Sequence, residues 1–84
     1  MLANGKDLIG KIVVSEETGR KFGIVGDVSF IVQSGELVNI ALEAPTKAAE
    51  SLNLEQDEKG RLLIPFSTIK SVGDFVIVSE REII

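Results

Sequence analysis

The chain is predicted to be all-β: a small β-barrel or strongly bent antiparallel sheet of five to six short strands, with at most one or two short helical turns. Three observations carry this. Apolar residues recur at every second position in several short runs, the period of a half-buried strand. Polar turns containing glycine separate those runs. The runs also follow one another closely, which suits a curled or closed sheet, and closure removes the exposed edges that let small sheets aggregate.

Residues 1–7 read as a ragged end with a loop signal at Asn4-Gly5. Leu8–Ser15 is the first strand, with Leu8, Ile12 and Val14 on one face and Ile9 and Val13 on the other. Glu16–Arg20, with Gly19 near its end, turns into the central strand, Phe22–Val32. There Phe22, Ile24, Gly26, Val28, Phe30 and Val32 form an apolar row expected to face the core. Gly23, Val25, Asp27, Ser29 and Ile31 make the mixed row behind it. Gly26 interrupts the apolar row, as glycine does at a bulge or sharp bend. Asp27 beside it fits a turn or bulge carboxylate accepting nearby backbone N–H groups.

Gln33–Glu36, built around Gly35, closes a hairpin onto Leu37–Ala44, where Val38, Ile40, Leu42 and Ala44 alternate. Pro45-Thr46 breaks that strand, and Lys47–Leu54 forms one or two helical turns capped by Thr46. Glu55–Gly60 is an acidic loop, and Arg61–Ile64 a short strand stopped by Pro65. Phe66–Ser71 makes a tight turn with Phe66 and Ile69 inward; Val72-Gly73-Asp74 is a further turn, Asp74 being structural. Phe75–Val78 is the last strand, and Ser79–Ile84 a charged tail. The expected organisation is one domain over 1–84, with its barrel core at 8–79 and flexible ends at 1–7 and 80–84.

Composition narrows the function classes. At 9.0 kDa, area scaling buries only about 63% of the surface an unfolded chain exposes. No cysteine or histidine is present to staple or metallate so thin a core, and unstapled chains of this size often gain stability by oligomerising. Net charge is −4, and Arg20-Lys21 is the one adjacent basic pair, so phosphate neutralisation along a nucleic acid is not expected. The N-terminus lacks a signal-peptide pattern, and no apolar run approaches a membrane span. Absence of cysteine fits a cytoplasmic setting.

No catalytic, cofactor or metal site is predicted. Gly5–Lys11 has the spacing of a phosphate loop, but Ile12 stands where magnesium needs a hydroxyl and no strand precedes it. Glu55, Asp57 and Glu58 are only a fragment of a calcium loop. The serines and aspartates have no histidine to act as base. The candidate site is therefore a surface. Ile9, Val13, Val25 and Ile31 point away from the expected core. They are ordinary exposed apolar residues, or the 46–54 segment covers them, or they line a homodimer or partner interface.

The order of signals resembles the PRC-barrel family, seen in the photosynthetic reaction centre H subunit, the ribosome maturation factor RimM and short stand-alone archaeal proteins. The matching residues begin with Leu8-Ile9-Gly10-Lys11, Gly19, Phe22-Gly23-Ile24-Val25 and Asp27-Val28. They continue with Gly35, Ile64-Pro65-Phe66, Ile69, Val72-Gly73-Asp74 and Val76-Ile77-Val78. Gly26 departs from the pattern, which would place a larger polar residue there. The resemblance implies a barrel used as a non-enzymatic adaptor, homodimeric and bound to a protein partner, in archaeal cell division. The alternative it implies is an RNA-processing or ribosome-assembly factor like RimM, whose second domain has no counterpart here.

Overall fold

The computed structural model, which describes residues 5–31 and 33–83, contains one seven-stranded sheet. Its elements are β1 (Ile12–Ser15), β2 (Lys21–Phe30), β3 (Leu37–Glu43), α1 (Lys47–Glu50), β4 (Glu55–Gln56), β5 (Leu62–Pro65), β6 (Ile69–Val72), β7 (Phe75–Val78) and α2 (Glu80–Ile83). The strand order is β4-β5-β3-β2-β1-β7-β6, antiparallel throughout except for the parallel pair β1–β7.

Connectivity forces this sheet to curl. β5 and β6 stand five spacings apart in the strand order, about 24 Å in a flat sheet. Yet only the 3-10 turn Phe66–Thr68 joins them, and the four steps from Pro65 to Ile69 reach at most about 14 Å. The two ends must therefore approach each other, giving a barrel-like shell with one core. Phe22, Leu8, Ile40, Leu42, Ile64, Val13, Val25, Val76 and Val78 fill it.

Which side chains enter that core corrects the sequence reading of both N-terminal strands. Along β2 the inward residues are Phe22, Val25 and Val28, while Ile24 is exposed and Phe30 reaches only the rim. Two bulges are the cause. Against β1, Val13 pairs Gly23 but Val14 pairs Lys21, leaving Phe22 as an extra residue. Against β3, Val25 pairs Leu42 but Asp27 pairs Ala41, leaving Gly26 extra. Each extra residue shifts the alternation by one, so the single even-numbered row breaks into three pieces. In β1 the faces are likewise exchanged: Val13 is buried, and Ile12 and Val14 look outward. Leu8 is buried too, but it belongs to a turn closed by Gly10 at φ 89° and cannot set the strand's phase. Val32, expected in the core row, lies outside the described residues.

The corner after β3 is tied down at backbone level. Thr46 Oγ1 donates to the Lys21 carbonyl at 2.6 Å, and Thr46 N donates to the Phe22 carbonyl at 3.1 Å. The same Thr46 hydroxyl caps α1 by accepting from Ala49 N at 3.3 Å, as its place before the helix predicts. Ala49 and Leu52 enter the core, so α1 plugs the shell and does not cover the outer face. Three short elements depart from the sequence expectation. β4 lies in the acidic stretch, β6 takes the second half of the expected Phe66–Ser71 turn while Phe66–Thr68 is a 3-10 turn, and α2 replaces a tail.

α2 is held by a polar clasp. Glu17 accepts from Ser79 Oγ at 2.8 Å and from Glu80 N at 2.7 Å. Glu80 in turn accepts from Thr18 Oγ1 at 3.0 Å and from Arg20 Nη2 at 2.6 Å. The Ser79 hydroxyl holds the Glu17 carboxyl below its ordinary value, and the Arg20 guanidinium does the same for Glu80. Groups whose folded value is depressed stabilise fully above the unfolded value and lose that stabilisation as pH falls through the folded one. Melting temperature should therefore hold from neutral pH down to about the ordinary 4.5 and fall below it. Glu80→Gln should melt lower at pH 7 and show a shallower acid slope. An equal slope in variant and wild type would remove the clasp from the account.

Candidate docking face

The strand register divides the outer surface into two halves. On β2, β3 and β5 this face carries Asp27, Ser29, Asn39, Leu63 and Pro65, together with Ala41, which is buried. An ion-paired network crosses this half. Asp57 accepts from Arg61 N at 2.8 Å and Arg61 Nε at 2.8 Å, and Arg61 Nη2 reaches Asp27 at 3.5 Å. The Arg61 backbone N–H leads in holding the Asp57 carboxyl below its ordinary value. Asp27 also accepts from Val28 N at 2.8 Å beside the Gly26 bulge. These carboxylates are occupied by structure. Among the described residues no group of three or more carboxylates converges as a metal site.

The half on β2, β1 and β7 is different. Ile24 pairs Ile12, and Ile12 pairs Phe75; two residues along β1, Val14 pairs Ile77. All five point away from the core, because their neighbours Val13, Val76 and Val78 point into it. The result is a two-row apolar band. Glu43 ends the first row beside Ile24, and Lys21 ends the second beside Val14. Beyond Ile77 the second row finishes at Ser71. A second exposed apolar cluster, Phe30, Ile31 and Val38, stands at the tip of the β2–β3 hairpin. From Ile24 to Phe30 is six residues along β2, about 20 Å.

Of the four residues expected to form an interface, Ile9 and Ile31 are exposed, at 49% and 43%. Val13 and Val25 are not available to a partner: they are 0% and 1% exposed, turned into the core by the shifts of alternation described above. On the outward side of these strands stand Ile24 and Phe75, exposed, and Ile12, half-buried. A reading of β7 alone could have found part of this, since Phe75 and Ile77 alternate against Val76 and Val78.

The remaining predicted positions have structural surroundings. Gly35 adopts φ 71° in the hairpin loop, Gly73 N donates to the Phe75 carbonyl at 3.0 Å, and Asp74 is exposed beside it. The glycine-lysine spacing at Gly5–Lys11 forms no phosphate cradle. Gly5–Asp7 is a 3-10 turn, and Lys11 Nζ donates to the Gly73 carbonyl. An open concavity of about 350 Å³ lies beside β6, between Asp7, Lys11, Phe66 and Lys70. Its two lysines are engaged, Lys11 as above and Lys70 with Glu82. No helix among the described residues is long and apolar enough to cross a membrane.

A family model described as the PRC-barrel domain matches residues 3–83. No curated protein gives a significant match to the chain.

Proposed function

The chain belongs to the PRC-barrel family, and from that premise we propose that it is a non-enzymatic, homodimeric adaptor that works in the cytoplasm through protein–protein contacts. The observation that carries this is the presence of two separate apolar areas outside the core of one small domain: the β1–β2–β7 band, where Ile24 and Phe75 are exposed and Ile12, Val14 and Ile77 half-buried, and the hairpin tip. An adaptor needs two such areas, one for its own copy and one for a partner, and contiguous apolar surface on a small protein marks contact. We assign the hairpin tip to the protein partner, and archaeal cell division, implied by the resemblance, as the process served.

Affinity capture from the native host tests the assignment, with wild type beside Phe30→Ser and Ile31→Glu. Both side chains are exposed, so the variants should fold. The expected result is a protein captured by wild type and lost from both variants. Capture that survives both would move the partner site elsewhere. Filter binding to RNA across a salt series decides the alternative. Steeply salt-dependent RNA affinity would replace the adaptor with a ribosome-assembly or RNA-processing factor.

A further inference from the structure

We propose that α2 is a strap across the open seam of the shell, tied down by charge and released as a unit while the sheet beneath it stays folded. The seam follows from the strand order. β4 and β6 are the two ends of the sheet, and among the described residues no ladder joins β6 to β4 or β5. α2 lies over that gap. Glu82 pairs with Lys70 on β6, while Glu82 and Ile83 share a concavity of about 180 Å³ with Glu55, Leu63 and Pro65 on the β4–β5 side. Just before the helix, Ser79 N donates to the Thr68 carbonyl at 2.8 Å, in the turn that links β5 to β6. One short segment thus touches both ends of the sheet.

What holds the strap differs from what holds the shell. Ile83 is the one apolar residue of α2, and it is only half-buried against the core. The other attachments are polar. Glu17 takes the Ser79 hydroxyl and the Glu80 N–H, and Thr18 and Arg20 donate to the Glu80 carboxylate. Arg81 Nη2 stands 3.7 Å from Glu17, and the Ser79 hydroxyl accepts from Glu82 N at 3.3 Å. On the far side of the helix Lys70 attracts Glu82, whereas Glu55, which lines the same concavity, carries a like charge. Hydrogen bonds to a carboxylate weaken when it loses its charge, and apolar burial does not. Discharging Glu17 and Glu80 therefore loosens α2 selectively. The Ser79 hydroxyl and the Arg20 guanidinium hold these two carboxyls below their ordinary 4.5, so the strap stays shut down to about that pH and releases below it.

Amide hydrogen exchange read by NMR, corrected for the intrinsic chemistry of each amide, tests this on full-length wild type, E17Q, K70E and I40V. The Ser79 and Glu80 amides report the strap. Val25, whose N–H donates to the Lys11 carbonyl at 2.9 Å, reports the shell. In wild type at pH 7 the strap amides should be at least about tenfold less protected than Val25, with exchange nearly independent of low urea, as for a local opening. E17Q keeps an acceptor oxygen but removes its charge, and should lower strap protection about tenfold. K70E should lower it about threefold, since that ion pair is exposed. I40V weakens the core beneath both the shut and the released forms, so it should lower Val25 protection about fivefold and leave the strap amides unmoved. The E17Q arm separates a tied strap from a frayed chain end, whose exchange a change at residue 17 would not touch. One shared protection and urea slope for strap and shell overturns the proposal. So do strap amides that ignore both E17Q and K70E, or that follow I40V as far as Val25 does.

Discussion

Gly23→Ala is expected to cost about 2–4 kcal/mol. Two independent strains meet at that position. Gly23 sits at φ +146°, a backbone conformation that residues with a Cβ rarely adopt. The added Cβ would also lie 3.1 Å from the Glu43 carbonyl oxygen, 3.3 Å from that of Ala44 and 3.3 Å from Pro45 Cα. These are backbone atoms of the corner that Thr46 ties to Lys21 and Phe22, so they have little freedom to retreat. Total stability for 84 residues is of order 4–13 kcal/mol, so the variant gives up a large fraction of it. Urea unfolding of wild type, Gly23→Ala and Gly35→Ala measures the effect. Gly35 has φ +71° but nothing within 4 Å of the added Cβ, so it isolates the cost of backbone conformation, about 1 kcal/mol. Equal losses at the two glycines would show that the close approach at Gly23 contributes nothing.

The same glycine shows where the sequence was legible and where it was not. Strand character survives any local irregularity, because alternation within three or four residues is enough to declare it. β1, β2, β3, β5 and β7 all carry that signal, and the Thr46 cap and the Gly35 turn are local chemistry that needs no knowledge of neighbours. Face assignment is a longer-range property. It depends on counting through Phe22 and Gly26, and a single extra residue inverts everything beyond it. Gly26 advertised its bulge by being glycine; Phe22, a large core residue, gave no such sign. β4 and β6 were hidden for another reason. At two residues β4 is too short for a period, β6 has its apolar residues only at its two ends, Ile69 and Val72, with no alternation, and pairing with β5 and β7 is what makes them strands. The docking band lies directly downstream of these errors. Its residues are visible in the sequence, but which of them share a face follows only from the register.

Lysine placed at Val25 and at Ile24 separates the two face assignments with one side chain at adjacent positions. Counting every second residue from Phe22 puts Val25 outside and Ile24 inside, so Ile24→Lys would be the damaging change. The register makes the opposite demand. Val25 is 1% exposed and packed among the core residues, so its replacement removes a buried apolar side chain and leaves an ammonium with no carboxylate in reach. The expected loss exceeds about 4 kcal/mol, enough to leave the chain largely unfolded at room temperature. Ile24 is 37% exposed and sits directly opposite Glu43 on β3, so lysine there gains an opposite-charge cross-strand neighbour. Its expected change in stability is within about 1 kcal/mol. Circular dichroism melts of the two variants decide the matter. A folded Val25→Lys beside a collapsed Ile24→Lys would mean that the bulge at Phe22 does not exist in solution. The docking band would then have to be redrawn on the opposite set of residues, because Ile12 pairs Ile24 and the face of the whole first row is carried by that pair.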